Sequence, residues 1–136
     1  MNAFPEGPLL KSLRIAGFDD VLRCGIVAAA SFRYSPLFRW ERPYHTSFPE
    51  DTLLSYRTQV LDAIRSEDII VIIAEDEFDP HEDRKTEAII PKDNGWTPPN
   101  KGEKAIVGWA AIKLEPTSQR KGQYKNLTGK GMTRLL

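Results

Sequence analysis

The sequence predicts a mixed α/β domain of order β-α-α-β-β, with a long charged insertion between the last two strands and an incomplete C-terminal half. Three observations carry this reading. Ile69-Ile70-Val71-Ile72-Ile73-Ala74 is apolar at every position, the pattern of a strand buried on both faces. Residues 105–112 (Ala-Ile-Val-Gly-Trp-Ala-Ala-Ile) form a second apolar strand, followed only by a short polar, basic tail. Helical periodicity occurs only upstream of these strands, so a sheet that needs cover on two faces has helices for one. The expectation is part of a larger domain, or a subunit that borrows its missing layer.

Taken in order, residues 1–12 read as an N-terminal extension and 13–16 as a short first strand, broken by Gly17 before Asp19 and Asp20. Either aspartate can cap the helix that follows, which is expected to end near Phe32, ahead of Ser35-Pro36. Residues 36–48 hold Phe38, Trp40, Glu41, Tyr44 and His45 with no clear period and read as a loop. Ser47-Phe48-Pro49-Glu50 has capping-box spacing, and Pro49 is compatible with a first helical turn. Leu53, Tyr56, Val60, Leu61 and Ile64 then form an apolar stripe, with Asp51, Arg57, Asp62 and Arg65 directed elsewhere.

The insertion spans residues 77–103. Its Asn94-Gly95 is a two-residue turn signal, from which residues 88–90 are expected to pair with the region of Trp96 as a hairpin, the rest being mobile. The strands at 69–73 and 105–112 are expected to pair antiparallel across it, because consecutive strands usually lie adjacent. Where helical and strand patterns agree on an inward face, the core is expected to contain Leu22, Ile26, Leu53, Val60, Ile64, Ile70, Ile72, Val107 and Ile112. Residues 117–136 read as a flexible basic tail.

At 136 residues the chain has the length of a single domain, and 19 basic residues balance 19 acidic ones. A zero net charge gives no global field toward nucleic acid or an anionic membrane. No segment approaches the roughly 20 apolar residues of a membrane span, and no secretion signal opens the chain, so the expectation is a cytoplasmic protein. Cys24, the single cysteine, excludes an internal disulfide, and its helical setting reads as a buried, inert thiol. Asn126-Leu127-Thr128 matches a glycosylation sequon, which has no meaning without secretion.

Few residues carry obvious chemistry. The acidic run from Glu75 through Asp79 and His81 to Asp83 lacks the glycine and terminal glutamate of a calcium loop, reads as a solvated charged segment, and leaves no expected metal site. His45, beside Tyr44 and Glu41, has two readings: an imidazole oriented by a carboxylate for proton transfer, or a loop histidine with one structural hydrogen bond. Trp40, Phe38 and Tyr44 can equally anchor the loop to the sheet. Gln119-Arg120-Lys121-Gly122-Gln123-Tyr124 and Thr128-Gly129-Lys130-Gly131-Met132-Thr133 both resemble loops that offer backbone N–H groups to phosphate, and a basic tail explains the same residues.

Residues 35–45 (Ser-Pro-Leu-Phe-Arg-Trp-Glu-Arg-Pro-Tyr-His), Phe48-Pro-Glu-Asp51, Ala74-Glu-Asp-Glu77 and Val107-Gly-Trp-Ala110 together resemble the N-terminal half of the GNAT acetyltransferase superfamily, closest to its fungal GNAT-like branch. The likeness covers residues 13–116. It implies a partial GNAT fold and transfer of an acetyl group from acetyl-CoA to a small-molecule or peptide amine by direct attack of the amine on the thioester. The loop carrying Trp40, Glu41, Tyr44 and His45 would line the acceptor site. Gly129 and Gly131 are similar to the start of the pyrophosphate loop, with Thr128 in place of its Gln/Arg and Thr133 in place of its last small residue. The family's catalytic elements would lie beyond residue 136. The alternative is a non-catalytic GNAT remnant acting as a binding or dimerisation module, partnered by a second copy or by the missing C-terminal half.

Overall fold

The computed structural model describes residues 12–124. Strand β1 (Leu13–Ile15) leads through a short 3-10 turn into helix α1 (Val21–Phe32). A single-turn helix α2 (Phe38–Glu41) and a long helix α3 (Pro49–Arg65) precede strand β2 (Ile69–Glu77), and strand β3 (Lys104–Lys113) follows the insertion. The sheet is antiparallel, in the order β1-β2-β3, with β2 in the centre. The expected pairing across the insertion is present, with Ile73 opposite Trp109 and Ile70 opposite Ile112.

Both long helices lie on one face of this sheet. Val21, Cys24 and Val27 of α1 and Val60, Leu61 and Ile64 of α3 pack with Val71, Ile73 and Ile106 into one core, while Phe38 joins Ala28, Ala29 and Tyr56 in a second. The α3 stripe is buried at all five expected positions, Leu53, Tyr56, Val60, Leu61 and Ile64. Sealing Val60 and Leu61 from water contributes roughly 1.5–3 kcal/mol each.

The sheet residues of the expected core are the ones the structure corrects. Ile70 and Ile72 are only half-buried, as is Leu22, and Val107 and Ile112 are 50% and 47% exposed. The uniformly apolar β2 does alternate: Val71 and Ile73 face the helices, while Ile70, Ile72 and Ala74 share the opposite face with Ala110 and Ile112, where neither helix packs. At Val107 a bulge is responsible. Ala74 pairs with Gly108 but Glu75 pairs with Ile106, so Val107 is an extra residue and the alternation changes phase. Ile106 takes the inward place.

The helix starts also differ from expectation. Asp20 makes no side-chain cap to α1; its carboxylate accepts from the Gly17 amide at 2.8 Å and from both terminal nitrogens of Arg14 at 2.9 and 2.8 Å. Arg14 also donates to Glu75 at 2.9 Å, clamping β1 to β2, and the Asp20 carboxylate holds its guanidinium firmly charged. The Ser47 capping box does not form. Phe48, whose side chain has no oxygen, is the N-cap of α3, and Pro49 occupies its first turn, where a missing N–H loses nothing. The expected loop at 36–48 contains α2.

Arg57, expected on the outer face of α3, is buried, donating to the carbonyls of Leu22 at 3.2 Å and Asn94 at 2.7 Å. Gly25 makes room for it, since a Cβ there would lie 2.3 Å from Arg57 Cγ. The expected hairpin is absent: no strand forms between β2 and β3. Asn94-Gly95 still turns, with Gly95 at a φ of 85° and the Asn94 side chain accepting from the Trp96 amide. The insertion is docked through Arg57 to Asn94 and through Arg23, which pairs with Glu82 and lies over the Trp96 ring, while Phe78 packs against Trp96 within it. Residues 117–124 form turns whose Gly122 amide donates to the Glu67 carbonyl at 2.8 Å.

Candidate functional site

The loop between α1 and α3 is anchored by one aromatic side chain. Phe38 is buried against Ala28, Ala29 and Tyr56, and His45 stacks edge-on against it at 4.8 Å. Trp40 and Tyr44 are not anchors: they are 81% and 71% exposed, and with Tyr34, Leu37 and Phe48 they make the loop an open aromatic surface. Glu41 is exposed and makes no ion pair with His45.

His45 is oriented by backbone instead. Its Nδ1 lies 2.9 Å from the Arg42 carbonyl, which can only accept, so Nδ1 carries the proton in the neutral ring and Nε2 keeps the lone pair. Nε2 has only the Thr46 hydroxyl nearby, at 3.5 Å. Arg42 is held in turn by the Ser55 hydroxyl and by the face of Tyr56, 5.6 Å from its ring centre, and burial pushes the Tyr56 hydroxyl up from its ordinary pKa. The loop therefore presents one preset proton acceptor beside exposed aromatic rings.

A second concavity lies between α1 and the insertion, a cleft of about 710 Å³ lined by Ile26, Val27 and Ala30, by Ile89 and Ile90, and by Val107 from the bulge. Arg23, Glu82, Asp83, Lys92 and Trp96 supply its polar parts. Periodicity had no means of marking it, because its outer wall is irregular backbone. Ala88-Ile89-Ile90-Pro91, an apolar run inside a charged insertion, was the available signal.

The other expected sites resolve differently. Among the described residues no group of histidine, cysteine or acidic side chains is arranged to hold a metal. In the acidic run Glu75 pairs with Arg14, Asp79 with Lys85 and Glu82 with Arg23. Cys24 is buried, and desolvation pushes its thiol up to about 12. The Gly122 amide, one candidate phosphate ligand, is already used by Glu67. Gly129 and Gly131 lie outside the described residues. No helix among them is long and apolar enough to cross a membrane.

No family model and no solved structure matches the chain. Among curated proteins it is similar to a protein of Stachybotrys chartarum (strain CBS 109288 / IBT 7711) named Acetyltransferase, with 36% identity over 121 residues. The match covers 89% of this chain and 43% of the relative, so the chain spans less than half the length of the curated protein it matches.

Proposed function

We propose that this chain is the N-terminal part of a GNAT-type N-acyltransferase, a protein that moves an acetyl group from acetyl-CoA to a small-molecule or peptide amine. The observation that carries the reading is the similarity to the Stachybotrys acetyltransferase across most of the chain. The element order adds support: β1, α1, α2, α3, β2 and β3, with an antiparallel sheet in the order β1-β2-β3, agree with the β-α-α-β-β arrangement the resemblance implies, α2 being a single added turn.

Acetyl-CoA, when bound, would supply the activated acyl group, and Gly129 and Gly131 are the positions proposed to hold its pyrophosphate. The chain's own contribution is at the acceptor. An amine reaching the loop would meet the faces of Trp40 and Tyr44, with Glu41 available to its ammonium form. To become a nucleophile the ammonium must lose a proton, and His45 Nε2, its lone pair fixed by the Nδ1 hydrogen bond, is the acceptor this loop offers.

A second reading is favoured by a different observation, the apolar sheet face that no described helix covers. On that reading the chain is a non-catalytic remnant that binds a partner or a second copy. The two separate experimentally. Fusing the chain to the remaining length of the Stachybotrys relative and following thiol release from acetyl-CoA, with small and peptide amines as acceptors, is expected to give turnover that the chain alone does not show. His45→Gln in the fusion is expected to lower kcat by roughly 100-fold or more. An inactive, well-folded fusion together with a CoA-blind dimer of the isolated chain would establish the second reading.

A further inference from the structure

We propose that the cleft between α1 and the insertion binds an uncharged, largely apolar small molecule. Its volume of about 710 Å³ falls in the range of ligand sites, which run from roughly 300 to 1,000 Å³. The walls are Ile26, Val27 and Ala30 on one side and Ile89, Ile90 and Val107 on the other.

Two of those side chains should not be there if the cleft were a mere packing gap. Ile89 is 46% exposed and Val107 50% exposed, yet both border the concavity and neither joins a core cluster. Val107 reaches the cleft because of the bulge, a device that re-aims a side chain next to functional sites.

The charge of the lining selects the ligand class. Arg23 is buried and paired, donating to the Ile106 carbonyl at 3.0 Å and to both Glu82 oxygens at 2.5 and 2.8 Å, and it lies 4.4 Å from the centre of the Trp96 ring. That pair is neutral as a unit, so its guanidinium charge is already balanced by a carboxylate. At the margin stand one exposed acid, Asp83, and one exposed base, Lys92, so the lining as a whole carries no net charge. An ionised ligand would lose water on entering apolar walls and meet only the solvated rim charges Asp83 and Lys92, whose exposed ion pairs contribute little, whereas a neutral one loses little. The hydroxyls of Ser31 and Thr86 offer hydrogen bonds to a single polar end.

The experiment uses the full 136-residue chain and two dyes that share one apolar body: neutral N-phenyl-1-naphthylamine and its sulfonated relative 8-anilino-1-naphthalenesulfonate. The neutral dye is expected to bind saturably, one per chain, quench the Trp96 contribution to the emission, and bind at least tenfold more tightly than the sulfonate. Ala30→Trp, which fills the cleft, is expected to weaken it at least tenfold, and so is Ile89→Asp on the outer wall, a second variant that leaves the helical core untouched. Ile112→Lys, on the uncovered sheet face, is expected to change the affinity less than twofold. Absence of saturable binding, equal or tighter binding of the sulfonate, or affinity lost in Ile112→Lys while Ile89→Asp retains it would each overturn the proposal. None of these outcomes depends on acetyl transfer.

Discussion

Gly25 and Arg57 share a volume with no room for a methyl group: a Cβ on residue 25 would stand 2.3 Å from Arg57 Cγ, and that carbon lies midway along a side chain pinned at its far end by two carbonyls. Gly25→Ala would gain roughly 1 kcal/mol of helix propensity. Overpacking against a fixed neighbour costs about 1–3 kcal/mol, so a net loss of stability is expected, read as a lower urea midpoint with an unchanged slope. An unchanged midpoint would mean that Arg57 swings clear. Cys24 makes a second prediction, in pH. Burial raises its thiol from an ordinary 9.0 to about 12, so the folded chain keeps a proton that the unfolded chain releases. The stabilisation is complete below pH 9 and is lost as pH rises toward 12, at about 1.4 kcal/mol per pH unit within that window. Cys24→Ala is expected to flatten the alkaline fall in the urea midpoint between pH 8 and pH 10, and the native thiol is expected to be unreactive toward a disulfide reagent at pH 8 until denaturant is added.

At the scale of elements, α3 rests on its stripe. Leu61→Ala is expected to cost about 2–5 kcal/mol, with Leu54→Ala, exposed on the same helix, as the neutral control in the same thermal or urea titration. That stripe was legible in the sequence because a helix repeats at a fixed period, and so was the pairing of β2 with β3, because consecutive strands meet. The inward face of the strands was not legible. In an all-apolar run either phase satisfies the pattern, and at Val107 one extra residue reverses it. Arg57 was misread for a related reason: periodicity knows charge, not the vacancy left by a glycine on a neighbouring helix. At the candidate site the aromatic loop was visible as composition, but which ring anchors it was not, since burial of Phe38 and exposure of Trp40 depend on where α2 turns. The insertion was expected to be mobile outside a hairpin, and its contacts instead tie it to α1 and α3. Replacing residues 79–102 with a short turn would strand buried Arg23 without Glu82, which costs roughly 3–5 kcal/mol. Arg23→Met in the shortened chain is expected to recover much of the lost thermal stability; failure to recover it would show that the insertion contributes through packing rather than through this ion pair.

At the scale of the whole molecule, the described helices close one side of the sheet. The helices close the face of Val71, Ile73 and Ile106, while Leu13, Ile15, Ile70, Ile72, Ala110 and Ile112 line a face that no described helix meets. At ~25 cal/mol per Å², a few hundred Å² of apolar surface left in water forfeits several kcal/mol, comparable with the net stability of a domain. The isolated chain is therefore expected to be marginally stable or self-associated, with a thermal midpoint that rises with protein concentration and a sedimentation coefficient above that of a monomer. Ile72→Lys with Ile112→Lys is expected to restore a monomer, and a dilute wild-type monomer with a concentration-independent transition would refute the expectation.

The same one-sidedness shapes how the chain is made. Every helix of the closed face is synthesised before β2 and β3, so that side of the sheet can lock as soon as β3 leaves the ribosome. The opposite face emerges at the same moment as an apolar sheet that no described helix covers, the surface that general chaperones recognise. A cell making this polypeptide would thus show it first as a chaperone client, and its abundance would be set by how long that surface waits for a partner.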